Sequence, residues 1–207
     1  GPLQRLPAPG GDPARGEQIA QAAAARVDAR DAAAARELRR MLASPAARDR
    51  ALVPGRVVAV GRQGAAGPER VTIDVGSRDG ILLDQCVVAA DGLVGRVVSV
   101  APWTSDVLLL GSADLAVGVR VGSSGVLGTV GSGAKGPHRR PAGQLSLTVV
   151  ERGALHAGDT VETLGSVGGA PFPAGLPVGV VTATDQSPGD LTPSASVRPA
   201  VDLTTLD

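Results

Sequence analysis

The sequence predicts a mainly β protein: one N-terminal α-helix followed by two small tandem β-barrels. Three observations predict it. After Pro13 an Ala-rich stretch runs to Ala43 without another proline. From Gly55 onward, short β-branched runs return about every ten residues between Gly, Asp and Pro turns, as in closed all-β architectures. Finally, one phrase is repeated. Gly55-Arg56-Val57-Val58-Ala59-Val60 returns as Gly95-Arg96-Val97-Val98-Ser99-Val100, and a third variant is Val178-Gly179-Val180-Val181-Thr182-Ala183.

Composition bounds the problem. An apolar fraction of 43% over 207 residues supplies a core, but with one Trp, one Phe and no Tyr it must be built from Val, Leu, Ile and Ala. Net charge is zero, so the total favours neither nucleic acid nor anionic lipid. Residues 1–56 carry ten Arg against six acidic residues, and the remainder is acidic by the same margin. A single cysteine, Cys86, excludes an internal disulfide. Its strand-like setting reads as an inert core thiol.

Residues 1–12 open as Gly1-Pro2-Leu3, the form of a tag-cleavage remnant, and are expected to be linker. No run of about 18 apolar residues follows. Asp12 suits a helix cap and Pro13 the first helical position. The helix then runs to Ser44-Pro45, roughly 45 Å, with a further turn or two expected before Leu52. Its large apolar residues, Ile19, Val27, Leu38, Met41 and Leu42, fall near one face with Ala23 and Ala34 between, closer to an 11-residue repeat than to heptads. The plain reading is a solvated, Ala-driven helix, and the functional one a self-associating stalk. Burying all five would yield on the order of 8–15 kcal/mol against an association cost of about 4–15, so the helix alone pairs weakly.

Every later element reads as a strand. Arg56–Val60 and the alternating Arg70–Val75 lead to the turn Gly76–Gly80 and Ile81-Leu82-Leu83. Cys86–Ala90 meets the hairpin signal Asp91-Gly92, then Leu93–Val100. Asp106–Leu110, Ala116–Val121 and Gly125–Val130 continue the series. The basic, Gly-rich loop Gly131–Gly143 precedes Gln144–Glu151, Thr160–Leu164, Pro177–Thr184 and Ala195–Val201. That makes about ten to twelve strands, and βαβ folds are disfavoured because no helical periodicity interrupts them. Asp91–Val98 parallels Ala174–Val181 with one insertion, which divides the strands into two related barrels meeting near Gly111–Ala116.

The search for chemistry excludes more than it finds. Gly131-Ser132-Gly133-Ala134-Lys135-Gly136 has dinucleotide-fingerprint spacing, but Pro137 and Pro141 flank what should be a helix start. Two barrels invite a trypsin-like reading. The base would then be His138 or His156, yet no Ser lies in a Gly-Asp-Ser-Gly-Gly setting able to form an oxyanion hole. The two His lack a carboxylate pair at metal-ligand spacing, and aromatics for base stacking are missing. Neither a cofactor nor a metal is expected. Trp103, in Ala101-Pro102-Trp103-Thr104, is expected in a loop, partly buried on the plain reading and a partner anchor on the functional one.

One resemblance does emerge. Val71-Thr72-Ile73-Asp74-Val75-Gly76-Ser77-Arg78-Asp79-Gly80, followed by Val87-Val88-Ala89-Ala90-Asp91-Gly92-Leu93-Val94-Gly95-Arg96-Val97-Val98, resembles the rod shape-determining MreC family. So do Ala116-Val117-Gly118-Val119-Arg120-Val121 and the ending Phe172-Pro173-Ala174-Gly175-Leu176-Pro177-Val178-Gly179-Val180-Val181. The resemblance implies a bacterial, single-pass membrane protein with this region on the extracytoplasmic side. It implies a non-enzymatic scaffold of wall elongation that self-associates and binds a class B penicillin-binding protein, linked to MreD, RodZ and MreB. The expected organisation is linker 1–12, helical arm 13–52, first barrel 55–112 and second barrel 113–207, with a C-terminal strand returning to the first. The competing readings are a degenerate or unusual trypsin-like serine hydrolase and a wall-polymer binding module.

Overall fold

The computed structural model describes residues 13–43, 51–64, 67–122, 125–132, 143–150, 155–185 and 194–206. Residues up to Arg40 form one compact unit and Met41–Asp207 the other.

Helix α1, Pro13–Ala43, supplies the described part of the first unit, and its last three residues fall in the second. Proline stands at its first position, where no amide is missed. Glu37 and Arg40 pair on its exposed surface at 3.1 Å. The expected Asp12 cap and the helical continuation over 44–50 lie outside the described residues.

Beyond α1, the described residues of the second unit are mainly β. Strands β1 (Val57–Val60), β2 (Gln63–Gly64), β3 (Gly67–Pro68) and β4 (Arg70–Ile73) form a long hairpin. A 3-10 turn, Ser77–Asp79, follows, ending at Gly80 with φ 84°. Then come β5 (Cys86–Ala89), β6 (Gly92–Val100) and β7 (Ser105–Leu109). Ile81-Leu82-Leu83 is turn rather than strand, because the peptide amide of Ile81 folds back onto the Gly76 carbonyl. The remaining strands are β8 (Val117–Val121), β9 (Val126–Gly131), β10 (Leu145–Val149), β11 (Thr160–Thr163), β12 (Pro177–Asp185) and β13 (Ser194–Pro199). The short β2 and β3 carry no sequence signal of their own. They exist because the β1–β4 ladder continues past Gly61, whose amide donates to the Arg70 carbonyl at 2.8 Å.

These strands form two antiparallel layers. The first is a five-stranded sheet in the order β1-β4-β7-β6-β5; the second is a closed barrel, β10-β13-β12-β11-β8-β9. Closure is complete only in the second, a distinction that strand spacing does not carry. The barrel core shows strict alternation: Val117, Val119 and Val121 of β8 and Leu145, Leu147 and Val149 of β10 are almost wholly buried, while their neighbours face outward. Val71, Leu93, Val97, Val107 and Leu109 fill the first layer, and one continuous core joins the two. As composition required, Leu and Val dominate it.

The repeated phrase encodes a repeated backbone event. In all three copies the ladder slips between the second and fourth residues after the glycine: at Val57/Ala59 against β4, Val97/Ser99 against β7 and Val181/Ala183 against β13. Each is a β-bulge that bends its strand, and bent strands curl a sheet toward a barrel.

Candidate interaction surface

The residue types present decide what kind of site is possible. Among the described residues no group of three or more His, Cys, Asp or Glu is placed to hold a metal. Cys86 opens β5, half-buried and packed on the core. His138 lies outside the described residues. His156 sits in a turn with its imidazole 75% exposed, 3.9 Å from Asp159. Asp159 is engaged by the peptide amide of His156 at 2.8 Å, a turn-closing role that the sequence search for a catalytic base did not separate from chemistry. Surfaces remain, and four stand out.

On α1, Val27, Leu38 and Leu42 are exposed and Met41 is half-buried; Ile19 lies in the same helix. At about 100° per residue Val27, Leu38, Met41 and Leu42 span roughly 100° of arc, an apolar stripe on an otherwise charged helix.

Trp103 lies in the β6–β7 loop, as its flanking proline predicts, and is 63% exposed. Its ring is capped on one side by the Arg78 guanidinium, 4.0 Å from the centroid. The 3-10 turn is tied to this loop because the amides of Ser77 and Arg78 donate to the carbonyls of Ala101 and Pro102. Leu82 and Leu83, also exposed, extend the same turn region. Sequence gave Trp103 but not Arg78, since their pairing crosses from one loop to another.

The outer edge of the first sheet is the third surface. Strand β1 ends the sheet, with Val58 and Val60 more than half exposed. Beside it a cavity of about 250 Å³ is lined by Val57, Val60, Pro68, Val71, Leu203, Thr204 and Leu206. The C-terminal segment therefore returns to the first layer, as a turn and not a strand. Within it Asp202 accepts from the Thr204 hydroxyl at 2.6 Å and amide at 2.9 Å, bonds that hold its carboxyl below the ordinary value.

The fourth is the junction of the two layers. Gly92, at φ 153°, lies so close to Pro177 that a Cβ there would come under 3.0 Å from its carbonyl oxygen. Only glycine combines that dihedral with that approach.

An MreC family model, described as the barrel core of rod shape-determining protein MreC, matches residues 59–207. The chain belongs to the MreC family. The cell shape-determining proteins MreC of Geobacillus stearothermophilus and Bacillus subtilis are each 34% identical over 145 residues, covering 67% of this chain and 49% of theirs. The chain thus spans about half the length of the curated relatives it matches. A solved structure titled MreC superposes with a TM-score of 0.65 at 25% identity, covering 82% of this chain and 92% of that one. In fold alone, the chain also resembles MreC in a complex of penicillin-binding protein PBP2 and MreC from Helicobacter pylori (TM-score 0.52, 19% identity, 70% and 84% covered). Trp103, Gly92, the C-terminal segment and Val60 of the β1 edge lie within the matched residues, and among the described residues no helix is long and apolar enough to cross a membrane.

Proposed function

We propose that this chain is a non-enzymatic scaffold of the bacterial wall-elongation machinery, acting on the extracytoplasmic side of the membrane. It binds a class B penicillin-binding protein and self-associates weakly through the α1 stripe of Ile19, Val27, Leu38, Met41 and Leu42, with Trp103 as a partner anchor. Through the same machinery it connects to MreD, RodZ and MreB, and an N-terminal anchor upstream of α1 holds it at the membrane. The observation carrying this reading is the match of residues 59–207 to the MreC barrel core, together with a solved structure similar in fold in which MreC is in complex with a penicillin-binding protein.

The arrangement of side chains favours a scaffold over a hydrolase. A general base works by a proton transfer set up within hydrogen-bond reach of a nucleophile in a sheltered site. His156 instead points into solvent from a turn whose carboxylate is used to close the backbone. The organisation of linker 1–12, arm 13–52 and β-units 55–112 and 113–207 is part of the same reading.

Titration of this chain into the purified extracytoplasmic region of the class B penicillin-binding protein from the same organism tests the proposal. Saturable binding is expected, and its absence up to about 100 μM, weaker than most specific contacts, would overturn it. Covalent labelling by a fluorophosphonate, lost on replacement of His138 or His156, would establish the hydrolase instead.

A further inference from the structure

The two β-layers are the same pairing scheme with one strand missing from the first. In the first, β6 stands between β5 and β7, and in the second β12 stands between β11 and β13. Val87 of β5 faces Gly95 of β6, and Val161 of β11 faces Gly179 of β12. The bulges fall at the same offset on the other side. Continuing outward, β4 takes the place of β10 and β1 that of β9. In the barrel the next position, between β9 and β11, is filled by β8, antiparallel to both. The corresponding position between β1 and β5 holds no strand among the described residues.

From this equivalence we infer that the edge of β1 is an acceptor slot for an extended segment of the penicillin-binding protein partner, completing the first sheet by strand addition. This rests on the partner reading above. The slot's chemistry is set by the strand that fills its counterpart. Val117-Gly118-Val119-Arg120-Val121 buries its valines and exposes Gly118 and Arg120, so the incoming segment is about five residues, some 17 Å, apolar at alternate positions. Main-chain bonds to β1 supply affinity and a side-chain pocket supplies selectivity. The pocket is the 250 Å³ cavity, which opens beside Val60 and is large enough for one aliphatic side chain. Arg56, exposed where β1 begins, favours a carboxylate flanking the segment.

The test is amide hydrogen exchange on the chain, alone and saturated with the partner's extracytoplasmic region, with binding measured for Val58→Lys, Val60→Lys and the control Val167→Lys. Both edge valines are exposed, as is Val167 on the barrel, so all three variants retain the fold. The slot predicts at least tenfold slower exchange across Val57–Val60 in the complex. It also predicts at least tenfold weaker binding for each edge lysine and none for Val167→Lys, since an edge charge blocks strand pairing. Binding that persists with β1 unprotected overturns the slot and leaves the partner reading standing. No binding by the unmodified chain overturns the partner reading itself. Protection of β1 that appears with chain concentration alone overturns the assignment in favour of a second copy.

Discussion

Gly95 and Gly179 occupy one position in two layers. Each faces a valine, Val87 or Val161, across one strand boundary, and each lies against a carbonyl of the next strand, that of Leu108 or Arg198, across the other. At either glycine a Cβ would come under 3.0 Å from that carbonyl oxygen, and backbone cannot move aside as a side-chain tip can.

Replacing either by alanine is therefore expected to destabilise the chain by about 1–3 kcal/mol, as overpacking does. Gly55→Ala is the contrast: its nearest neighbour is a Val75 methyl carbon at 2.9 Å, a side-chain atom that a small shift of Val75 χ1 moves aside, and the cost should stay under about 1 kcal/mol. Urea unfolding of the three variants checks the order.

Gly92→Ala strains both the dihedral and the contact with Pro177. The dihedral alone costs of order 1–3 kcal/mol. Because the clash lies at the junction, the variant should lose amide protection in β6 and β12 before the barrel strands β9 and β10. Uniform loss across all strands would contradict a junction role.

Trp103→Ala separates stability from recognition. The Arg78 stack is exposed, so its removal should cost no more than about 0.5–1 kcal/mol by thermal unfolding. An anchoring role predicts at least tenfold weaker binding to the penicillin-binding protein region, while unchanged binding would remove Trp103 from the interface.

Leu38→Ser with Leu42→Ser tests the α1 stripe. Both residues are exposed, so the fold should be indifferent, and sedimentation equilibrium should show any weak dimer of the unmodified chain shifting to monomer. Identical curves for the two proteins would rule out the stripe as the contact.

Asp202 gives a pH signature. Its carboxyl is lowered by the Thr204 hydroxyl and amide, so its stabilising bonds are complete above the unfolded value near 3.8. They are lost as pH falls through the depressed folded value. Exchange at the Thr204 amide should rise in that acid window, and Asp202→Asn should flatten the rise.

Much of the fold was legible because its determinants are local. The start of the helix follows from Pro13, and strand positions follow from β-branched runs between glycine turns. The repeated phrase already held the bulges, since a glycine followed by valines marks where one strand must sit close to its neighbour and then bend. That Val27, Leu38, Met41 and Leu42 lie on one helix was equally readable, because periodicity along a helix needs no partner. The sites were less legible. Arg78 meets Trp103, and Leu203 and Leu206 meet Val57 and Val71, only because distant segments converge. The extent to which Trp103 is exposed was not legible either, because an aromatic in a loop is covered or bare according to what packs above it.

Sequence by itself determined the all-β class, the leading helix, the aliphatic core and the kinship of the repeated strands, since each depends on side-chain pattern over a few residues. Tertiary structure alone decided that, among the described residues, one layer closes and the other stays open at β1. Closure depends on whether a sixth strand finds both edges, and hydrogen bonds between strands far apart in the chain leave no mark in the local pattern of either.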